Sequence, residues 1–249
     1  MDREHELRFI REELGYLGIK EFPEKGVADL VNSGADKIQV TGTAVYPQYG
    51  TSETLAYTMY LKKFDQQANG YHAYAYQASL KSDPVKSRVF EVRPDPCFML
   101  PDAFNLLNGR AVQKLVLDWP SRKMENSWFQ LDFHKRDATG NFAVERYPDF
   151  KMNESLGRYP VKALMNPDER VNLFLSLLKG NAEPVILIRN GMETQAFAQA
   201  DPRNTAVHLY AKWNDKLLKV GNPHNHKMKQ PADLIINEPK QPRQKGMGM

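Results

Sequence analysis

The sequence contains little of what stabilises secreted or membrane proteins. Cys97 is the only cysteine in 249 residues, so no disulfide can form within the chain. No apolar run approaches the roughly 20 residues that span a bilayer, and the first residues, Met1 to Glu6, are too charged for a signal peptide. We therefore expect a cytoplasmic protein in a reducing compartment, without membrane contact.

Motifs of the common enzyme classes are also missing. The chain has no G-x-x-x-x-G-K-[ST] or G-x-G-x-x-G loop for phosphates or dinucleotides, and no G-x-S-x-G, H-E-x-x-H or C-x-x-C. Cys97 precedes a helix predicted to begin at Pro101, an arrangement that can activate a thiol, but a buried and inert cysteine is the favoured interpretation. His224 and His226 are too few ligands for a fixed metal site. We expect no metal and no cofactor.

The composition is that of a globular protein with a basic end. Apolar residues make up 41 % of the chain, charged residues 26 % and aromatic residues 10 %. The net charge is +4, and because five basic and two acidic residues follow residue 221, the body carries only about +1. Nucleic-acid binding is therefore expected to be weak, non-specific and confined to the tail. The basic tail residues are Lys227, Lys229, Lys240, Arg243 and Lys245.

The stretch from Asn166 to Asn190 defines the predicted architecture. Asn166 can cap a helix whose first residue is Pro167, because proline has no N–H to leave unpaired there. Apolar residues then recur at the i, i+3, i+4, i+7 spacing of one helical face: Val171, Phe174, Leu175 and Leu178. A short strand follows, and Asn190-Gly191 predicts a tight hairpin turn. The unit is predicted to be an amphipathic helix laid on an antiparallel meander.

The same pattern recurs along the chain. Residues 106–111 align without a gap on residues 177–182, both reading Leu-Leu-x-Gly-x-Ala, and residues 30–35 are a looser copy. Glycine can end a helix in the left-handed conformation, and a small residue can begin the strand beneath it. We therefore predict tandem helix-and-meander units, with Gly109 and Gly180 at equivalent helix ends.

Two helices and four strands are predicted before the proline-rich connector at residues 94–101, and seven strands after it. Residues 3–18 and 24–33 have helical patterns. The first helix has an apolar stripe formed by Leu7, Ile10, Leu14 and Leu17. This stripe can cover a sheet of its own domain or pair with a partner helix, and the first interpretation is favoured. Alternating residues predict strands at 37–46, 54–64, 71–80, 88–93, 111–118, 127–134, 141–147, 185–188, 193–199, 206–213 and 216–220.

These patterns predict an α+β protein of tandem units in which a helix packs on an antiparallel β-meander. The segments are 1–93 with the N-terminal helix and the first unit, 94–152 with the second unit, 153–221 with the third unit, and 222–249 as a disordered basic tail. The tail is rich in proline, glutamine and lysine, which cannot bury enough surface to fold. Its one apolar run, Leu234 to Ile236, can dock on the body.

Several short segments resemble an uncharacterised family of Bacteroidetes proteins, often encoded on conjugative transposons and other mobile elements. The resemblance extends from about residue 7 to residue 213, and it departs from the family pattern around Cys97 and in the tail. It implies a cytoplasmic accessory protein of a mobile element and transfers no catalytic residue. The segments are 15–18, 61–66, 103–112, 128–133, 140–142, 159–162 and 178–181.

The alternating strands also predict a polar face on each sheet. The polar set of the strand 127–134 is Trp128, Gln130, Asp132 and His134. The sets of the other two sheets are His72, Tyr74 and Tyr76, and His208, Tyr210 and Lys212. Three interpretations of these faces stay open: the solvated side of a one-sided antiparallel sheet, which is favoured, a binding surface, or a catalytic site.

We therefore predict a non-enzymatic binding or accessory module that acts through a protein partner or weak nucleic-acid contacts. Tyrosines beside basic residues can stack on bases and contact phosphates. The alternative is an enzyme that uses a carboxylate and a histidine of the sheet, Asp132 and His134, in acid–base chemistry. The predicted binding face consists of Lys62, Lys63, Tyr74, Tyr76, Trp128, Asp132, His134, Lys135, Arg136, Tyr210 and Lys212.

Overall fold

The computed structural model describes residues 3–19, 24–64, 70–92, 95–189, 191–213 and 216–220. The helices of this part are α1 (Arg3–Tyr16), α2 (Glu24–Asn32), α3 (Leu100–Leu107), α4 (Met152–Leu156) and α5 (Pro167–Leu178), with short 3₁₀ turns at Lys162–Met165 and Pro202–Asn204. None of these helices is long and apolar enough to cross a membrane. The predicted tail, the turn residue Asn190, the last residue of the predicted strand 88–93 and the connector residue Pro94 lie outside the described residues.

Within the described residues the strands form three antiparallel sheets, which confirms the predicted mixture of helices and antiparallel sheets. The first sheet has the order β1-β2-β3-β4, the second β5-β6-β7 and the third β11-β10-β9-β8. The strands are β1 (Lys37–Gln48), β2 (Thr51–Lys63), β3 (Tyr71–Leu80), β4 (Ser87–Glu91), β5 (Val112–Asp118), β6 (Lys123–Arg136), β7 (Phe142–Tyr147), β8 (Glu183–Arg189), β9 (Met192–Asp201), β10 (Ala206–Trp213) and β11 (Lys216–Lys219).

The first sheet begins with a long hairpin. β1 and β2 pair up to Gln48 opposite Thr51, and the two turn residues, Tyr49-Gly50, have φ values of 46° and 77°. Two successive left-handed residues are the geometry of a type I′ turn, whose twist matches that of the paired strands. Both strands are longer than predicted. β1 continues through Pro47 because it is an edge strand, where a missing N–H is tolerated.

Helices α1 and α2 cover this sheet. Ile10 and Leu14 of α1, and Leu17 directly after it, are fully buried in a hydrophobic cluster with residues of α2, α3 and the first sheet, and Leu7 packs against that cluster. We call this the first cluster. The predicted stripe of α1 is therefore buried in the chain's own core, and pairing with a partner helix through this stripe is wrong.

The second sheet lies between two hydrophobic clusters. One face contributes Phe129 and Leu131 to the first cluster. The other face contributes Trp128 to a second cluster, which is completed by residues of α4, α5 and the third sheet. β6 is the middle strand of this sheet, and a hydrophobic cluster covers each of its two faces, so side chains of both faces are buried over residues 127–132. β6 therefore contributes side chains to both clusters.

Helix α5 begins where the sequence predicts. The Asn166 side chain accepts hydrogen bonds from the backbone N–H groups of Asp168 at 2.9 Å and Glu169 at 3.3 Å. These bonds satisfy two of the N–H groups that the first turn of a helix leaves free. Pro167 occupies the first helical position, which confirms the predicted cap.

The buried stripe of α5 differs from the predicted one. Leu173 and Leu177 are buried, whereas Val171 and Leu175 are 52 % and 51 % exposed. The helix has two adjacent apolar stripes, and the periodicity of a sequence cannot show which of them the sheet covers. The prediction that Val171 and Leu175 face the core is therefore wrong.

The end of α5 fits closely against the start of β5. Gly180 has a φ of 84°, and a Cβ atom at this position would lie 2.6 Å from the carbonyl oxygen of Ala111 and 2.8 Å from a methyl group of Val112. The site therefore requires glycine both for its backbone conformation and for space. Gly109 follows α3 with a φ of 74°. Both glycines end helices, as predicted.

Candidate functional site

The predicted polar face of β6 is largely buried. Trp128, Gln130 and Asp132 are only 1 %, 8 % and 7 % exposed, and the strand reaches solvent at His134. The prediction of a solvated face is therefore wrong for this strand. Alternation of apolar and polar residues is typical of a one-sided sheet, but α4 and α5 bring a second core onto the other side.

The predicted Asp132–His134 pair is not a carboxylate–imidazole contact. The Asp132 side chain accepts a hydrogen bond of 2.9 Å from the backbone N–H of His134, and this bond is the main reason that the pKa of Asp132 lies below its ordinary value. Lys135 lies 3.5 Å from Asp132 and 2.6 Å from Glu145. Asp132 therefore fixes the end of β6 and does not orient an imidazole.

An arginine from the 3₁₀ turn between β9 and β10 joins this network. The Arg203 guanidinium donates hydrogen bonds of 3.2 Å to the carbonyl oxygen of Leu131 and to the Tyr147 hydroxyl. The Tyr147 hydroxyl in turn donates to Glu145 at 2.6 Å. These contacts connect β6, β7 and the turn after β9, so we interpret the network as structural.

Tyr76 lies on the opposite face of β3 from Tyr74. The pairing of β2 with β3 shifts register after Tyr60, which leaves one extra residue in β3 and reverses the alternation beyond it. Tyr74 is 39 % exposed, whereas Tyr76 is fully buried and donates a hydrogen bond of 2.8 Å to the carbonyl oxygen of Phe98. The predicted grouping of these two tyrosines is wrong.

The remaining predicted residues are distributed over the three sheets. Lys63 is half-buried in the first sheet and Tyr210 in the third, and the side chain of Lys212 lies outside the described residues. The structure does not gather the set on one face, because its members belong to different sheets and, in β3, to different sides. The exposed members are Lys62, Tyr74, His134, Lys135 and Arg136.

A carboxylate–imidazole contact does occur, in the third sheet. His208 Nε2 lies 2.8 Å from Asp201 Oδ2, and both side chains are 12 % exposed. Burial alone would raise the pKa of Asp201, but hydrogen bonds from His208 and Asn204 outweigh it and leave the pKa below its ordinary value. Lys219 Nζ is 3.1 Å from the same imidazole nitrogen. Sequence analysis assigned His208 to a polar face but missed Asp201, which is the last residue of the preceding strand, β9.

The first sheet's hairpin covers the face beside this pair. The Tyr49 hydroxyl donates a hydrogen bond of 2.6 Å to Gln199, and its ring meets the rings of Phe197 and Tyr210 edge-on at 5.6 and 6.0 Å. Burial is the main reason that the pKa of Tyr210 rises to about 12. Three clefts lie among the described residues, with volumes of about 400, 400 and 600 Å³, and neither Asp201 nor His208 lines any of them. The pair therefore lies in a packed junction between sheets.

A buried arginine holds the same junction together. Arg110 is 1 % exposed and donates hydrogen bonds to Asn105 at 2.7 and 3.1 Å and to Gln48 at 2.6 Å. Asn105 donates at 2.6 Å to the carbonyl oxygen of Lys179 at the end of α5. Burial lowers the pKa of Arg110. The guanidinium links the hairpin, α3 and α5, and so fixes the three sheets relative to each other.

A cleft of about 400 Å³ lies on the other side of β6. Trp128 lies in it, edge-on to Phe150 with ring centres 5.4 Å apart. The indole Nε1 of Trp128 is buried and has no hydrogen-bond partner among the described residues. The side chains that line this cleft, which we call the Trp128 cleft, include Gln113, Trp128, Phe150, Met152, Phe174 and Leu178.

Exposed apolar side chains continue from this cleft on two elements. Val171 and Leu175 come from α5, and residues of the β5–β6 hairpin extend the surface in the other direction. Gln113 pairs with Trp128 and Leu117 with Met124, so alternation places Leu115, Leu117 and Met124 on the face of Gln113 and Trp128. We call the following exposed residues the apolar strip: Leu115 (57 %), Trp119 (75 %), Met124 (56 %), Val171 (52 %) and Leu175 (51 %).

The Trp128 cleft and the apolar strip are the part of the described chain that best resembles a recognition site. A concave apolar site with a few polar groups is the usual form of a ligand site, and a contiguous apolar patch on a surface marks an interaction site. The chain matches no protein-family profile, no curated protein and no solved structure.

Proposed function

We propose that the chain is a non-enzymatic binding module and that the Trp128 cleft with its apolar strip receives a protein partner. The observation that carries this proposal is an apolar cleft lined by Trp128, whose buried indole N–H has no hydrogen-bond partner among the described residues. A buried donor without an acceptor costs about 1–3 kcal/mol. A partner that displaces the side chains around the indole and offers it a carbonyl oxygen regains that free energy on binding.

The apolar surroundings favour a partner that inserts an apolar or aromatic side chain. Binding energy in protein interfaces concentrates in a few side chains that fill desolvated pockets, while the surrounding contacts exclude water. The Trp128 cleft provides the pocket, and Val171, Leu175 and Leu115 provide the surrounding contacts. A segment with one large apolar side chain and a nearby free carbonyl group fits both features.

The charges of the cleft favour protein over nucleic acid. Lys151 lies at its edge, but the carboxylate of Glu154, which also lines the cleft, is 3.4 Å from its ammonium group. A phosphate backbone requires an excess of positive charge. Weak nucleic-acid contacts through the basic tail remain part of the proposal, on the charge of residues 222–249 alone, and those residues lie outside the described ones.

The biological setting is part of the same proposal. The resemblance to Bacteroidetes proteins of conjugative transposons supports a role as an accessory protein of a mobile element, acting in the cytoplasm. A module that recognises a protein segment suits such a role, because accessory proteins act through partners.

We also propose that the second and third sheets, with their helices, are tandem units. In each, a helix ends at a left-handed glycine and leads into an antiparallel sheet: α3, Gly109 and β5–β7, then α5, Gly180 and β8–β11. The ungapped Leu-Leu-x-Gly-x-Ala match supports this relation. Superposition of the two segments with Gly109 on Gly180 tests it, and strands that pair in a different order contradict it.

A photo-crosslinking side chain at Leu175 tests the proposed binding site. In a lysate of the native host we expect one discrete adduct, and no such adduct from the same side chain at Val85, which is 77 % exposed on the β3–β4 turn. The partner, once purified, should bind Leu175→Glu at least about tenfold more weakly than wild type, a loss of about 1.4 kcal/mol. Val85→Glu is the matched control. Equal affinity of wild type and Leu175→Glu would overturn the assignment.

A further inference from the structure

β5 is an edge strand with one free side. Among the residues that the structure describes, it pairs only with β6 of the second sheet. The backbone N–H of Leu117 donates to the Asp95 side chain at 2.8 Å and is therefore directed away from β6. Because backbone groups alternate along an antiparallel strand, those of Gln113 and Leu115 are directed to the same free side. Within the described residues, the outward backbone groups of Gln113 and Leu115 have no hydrogen-bond partner, whereas the Leu117 N–H is held by Asp95 and the start of β5 lies against Gly180.

The side chains near this edge are apolar and exposed. Leu115 is 57 % exposed, Met124 on the neighbouring strand 56 %, and Trp119, one residue beyond β5, 75 %. Natural edge strands are usually short, charged or covered, because an exposed apolar edge pairs with other strands. Here the backbone groups and the apolar side chains are available together.

We propose that this edge pairs antiparallel with β5 of a second copy of the chain. The sequence of β5, Val-Gln-Lys-Leu-Val-Leu-Asp, is self-complementary about Val116. With Val116 opposite itself, each Leu115 lies opposite Leu117, so the dimer contains two Leu115–Leu117 pairs. Apolar pairs are favourable cross-strand neighbours. Centred instead on Leu115, the pairing would place Gln113 opposite Leu117 and keep a single Leu115–Leu115 pair. Lys114 does not influence the register, because its ammonium group is paired with Asp102 of the same chain.

Two-fold pairing closes the assembly. A C2 contact uses the same edge on both copies and leaves no further β5 edge free, so it forms a dimer and not a fibre. One strand pair is a small interface, so we expect association at micromolar concentrations. The pairing joins the second sheet of one copy to the second sheet of the other. In the continuous sheet that results, the two β5 strands are neighbours.

The second copy also reaches the Trp128 cleft. In the proposed register, Trp119 of the second copy comes opposite Gln113, which lines the cleft and pairs with Trp128. The dimer therefore places an aromatic side chain at the mouth of each cleft. This contact rests on the proposed function of the cleft, whereas the strand pairing does not.

Asp95 competes with the pairing. Its carboxylate accepts the hydrogen bond of the Leu117 N–H, which the second copy would otherwise receive through a carbonyl group. Removing this carboxylate frees the donor and should strengthen association. Replacing Leu115 by a charged side chain should weaken it, because the Leu115–Leu117 contact is lost twice in each dimer. The two variants are thus expected to change the dimer in opposite directions.

Sedimentation velocity of the full chain between about 1 and about 100 µM tests this inference. We expect a concentration-dependent dimer that Leu115→Lys weakens at least about tenfold, that Asp95→Ala strengthens and that Val85→Lys leaves unchanged. Thermal melting shows whether each variant is folded. A monomer at every concentration, or a dimer insensitive to Leu115→Lys, would overturn the proposal. The crosslinking experiment at Leu175 does not involve the β5 edge, so either proposal can fail without the other.

Discussion

Trp128 shows how a single side chain can belong to the core and to a site at once. Its ring is 1 % exposed and packs in the second cluster, yet its indole N–H has no acceptor among the described residues. Buried donors are nearly always paired in folded proteins. An unpaired donor beside a cleft therefore indicates where a partner completes the structure.

Arg110 makes a different contribution, to stability. Replacing it by methionine keeps the apolar stem but removes the donor from the buried side-chain oxygen of Asn105 and from the half-buried one of Gln48. We expect Arg110→Met to lower the free energy of unfolding by about 2–4 kcal/mol, as measured by urea denaturation. Arg158→Met, at an exposed position, is the control and should change it by less than about 0.5 kcal/mol. Equal losses in the two variants would contradict the assigned role.

The Asp201–His208 pair predicts a dependence of stability on pH. The pKa of Asp201 is lower in the folded chain than its ordinary value, so the ionised carboxylate stabilises the fold above the unfolded pKa of about 3.9. This contribution is lost as the pH falls through the folded pKa. The stability difference between wild type and Asp201→Asn should therefore shrink as the pH falls below about 4. A difference that grows at acidic pH would contradict this sign.

At the scale of elements, α5 shows what periodicity cannot decide. Phe174 and Leu178 belong to both of its apolar stripes, and the sequence assigned them to the stripe of Val171 and Leu175. In the structure they line the Trp128 cleft. The stripe that the sequence assigned to the core thus became the candidate site, because tertiary contacts choose between two acceptable faces.

Two leucines of α5 test which stripe is buried. Leu177→Ala removes a fully buried side chain and should cost about 2–5 kcal/mol of unfolding free energy. Leu175→Ala, at a position that is 51 % exposed, should cost less than about 1 kcal/mol. Chemical denaturation of the two variants measures both values. The reverse order would return Leu175 to the core and remove it from the apolar strip.

The helix ends could be predicted because they depend on residues close by in the sequence. The candidate site could not, because it depends on contacts between elements that are distant in the sequence. The Asn166 cap and the glycines 109 and 180 act within a few residues of their own positions, so the sequence places them well. The burial of Trp128 depends on α4 and α5, which are distant in sequence. The bulge that separates Tyr74 from Tyr76 depends on the pairing of β2 with β3. Neither can be read from one strand alone.

At the scale of the whole molecule, the β1–β2 hairpin connects the first sheet to the third, and β6 connects the two hydrophobic clusters. The turn residue Tyr49 contacts the third sheet, and β6 is shared by both hydrophobic clusters. The first cluster includes residues on both sides of position 94, where sequence analysis placed a boundary between units. A rigid frame of this kind holds the Trp128 cleft open between α5 and the second sheet.

The indole N–H resonance of Trp128 shows whether a protein partner binds in the Trp128 cleft. The chain has three tryptophans, so Trp128→Phe identifies the signal in a ¹H–¹⁵N spectrum. On addition of the partner trapped at Leu175, we expect a saturable downfield shift of this signal, because the indole gains a hydrogen bond. Leu175→Glu should raise the partner concentration needed for that shift. A Trp128 signal that stays unchanged while the partner saturates the protein would show that the partner does not bind at the indole.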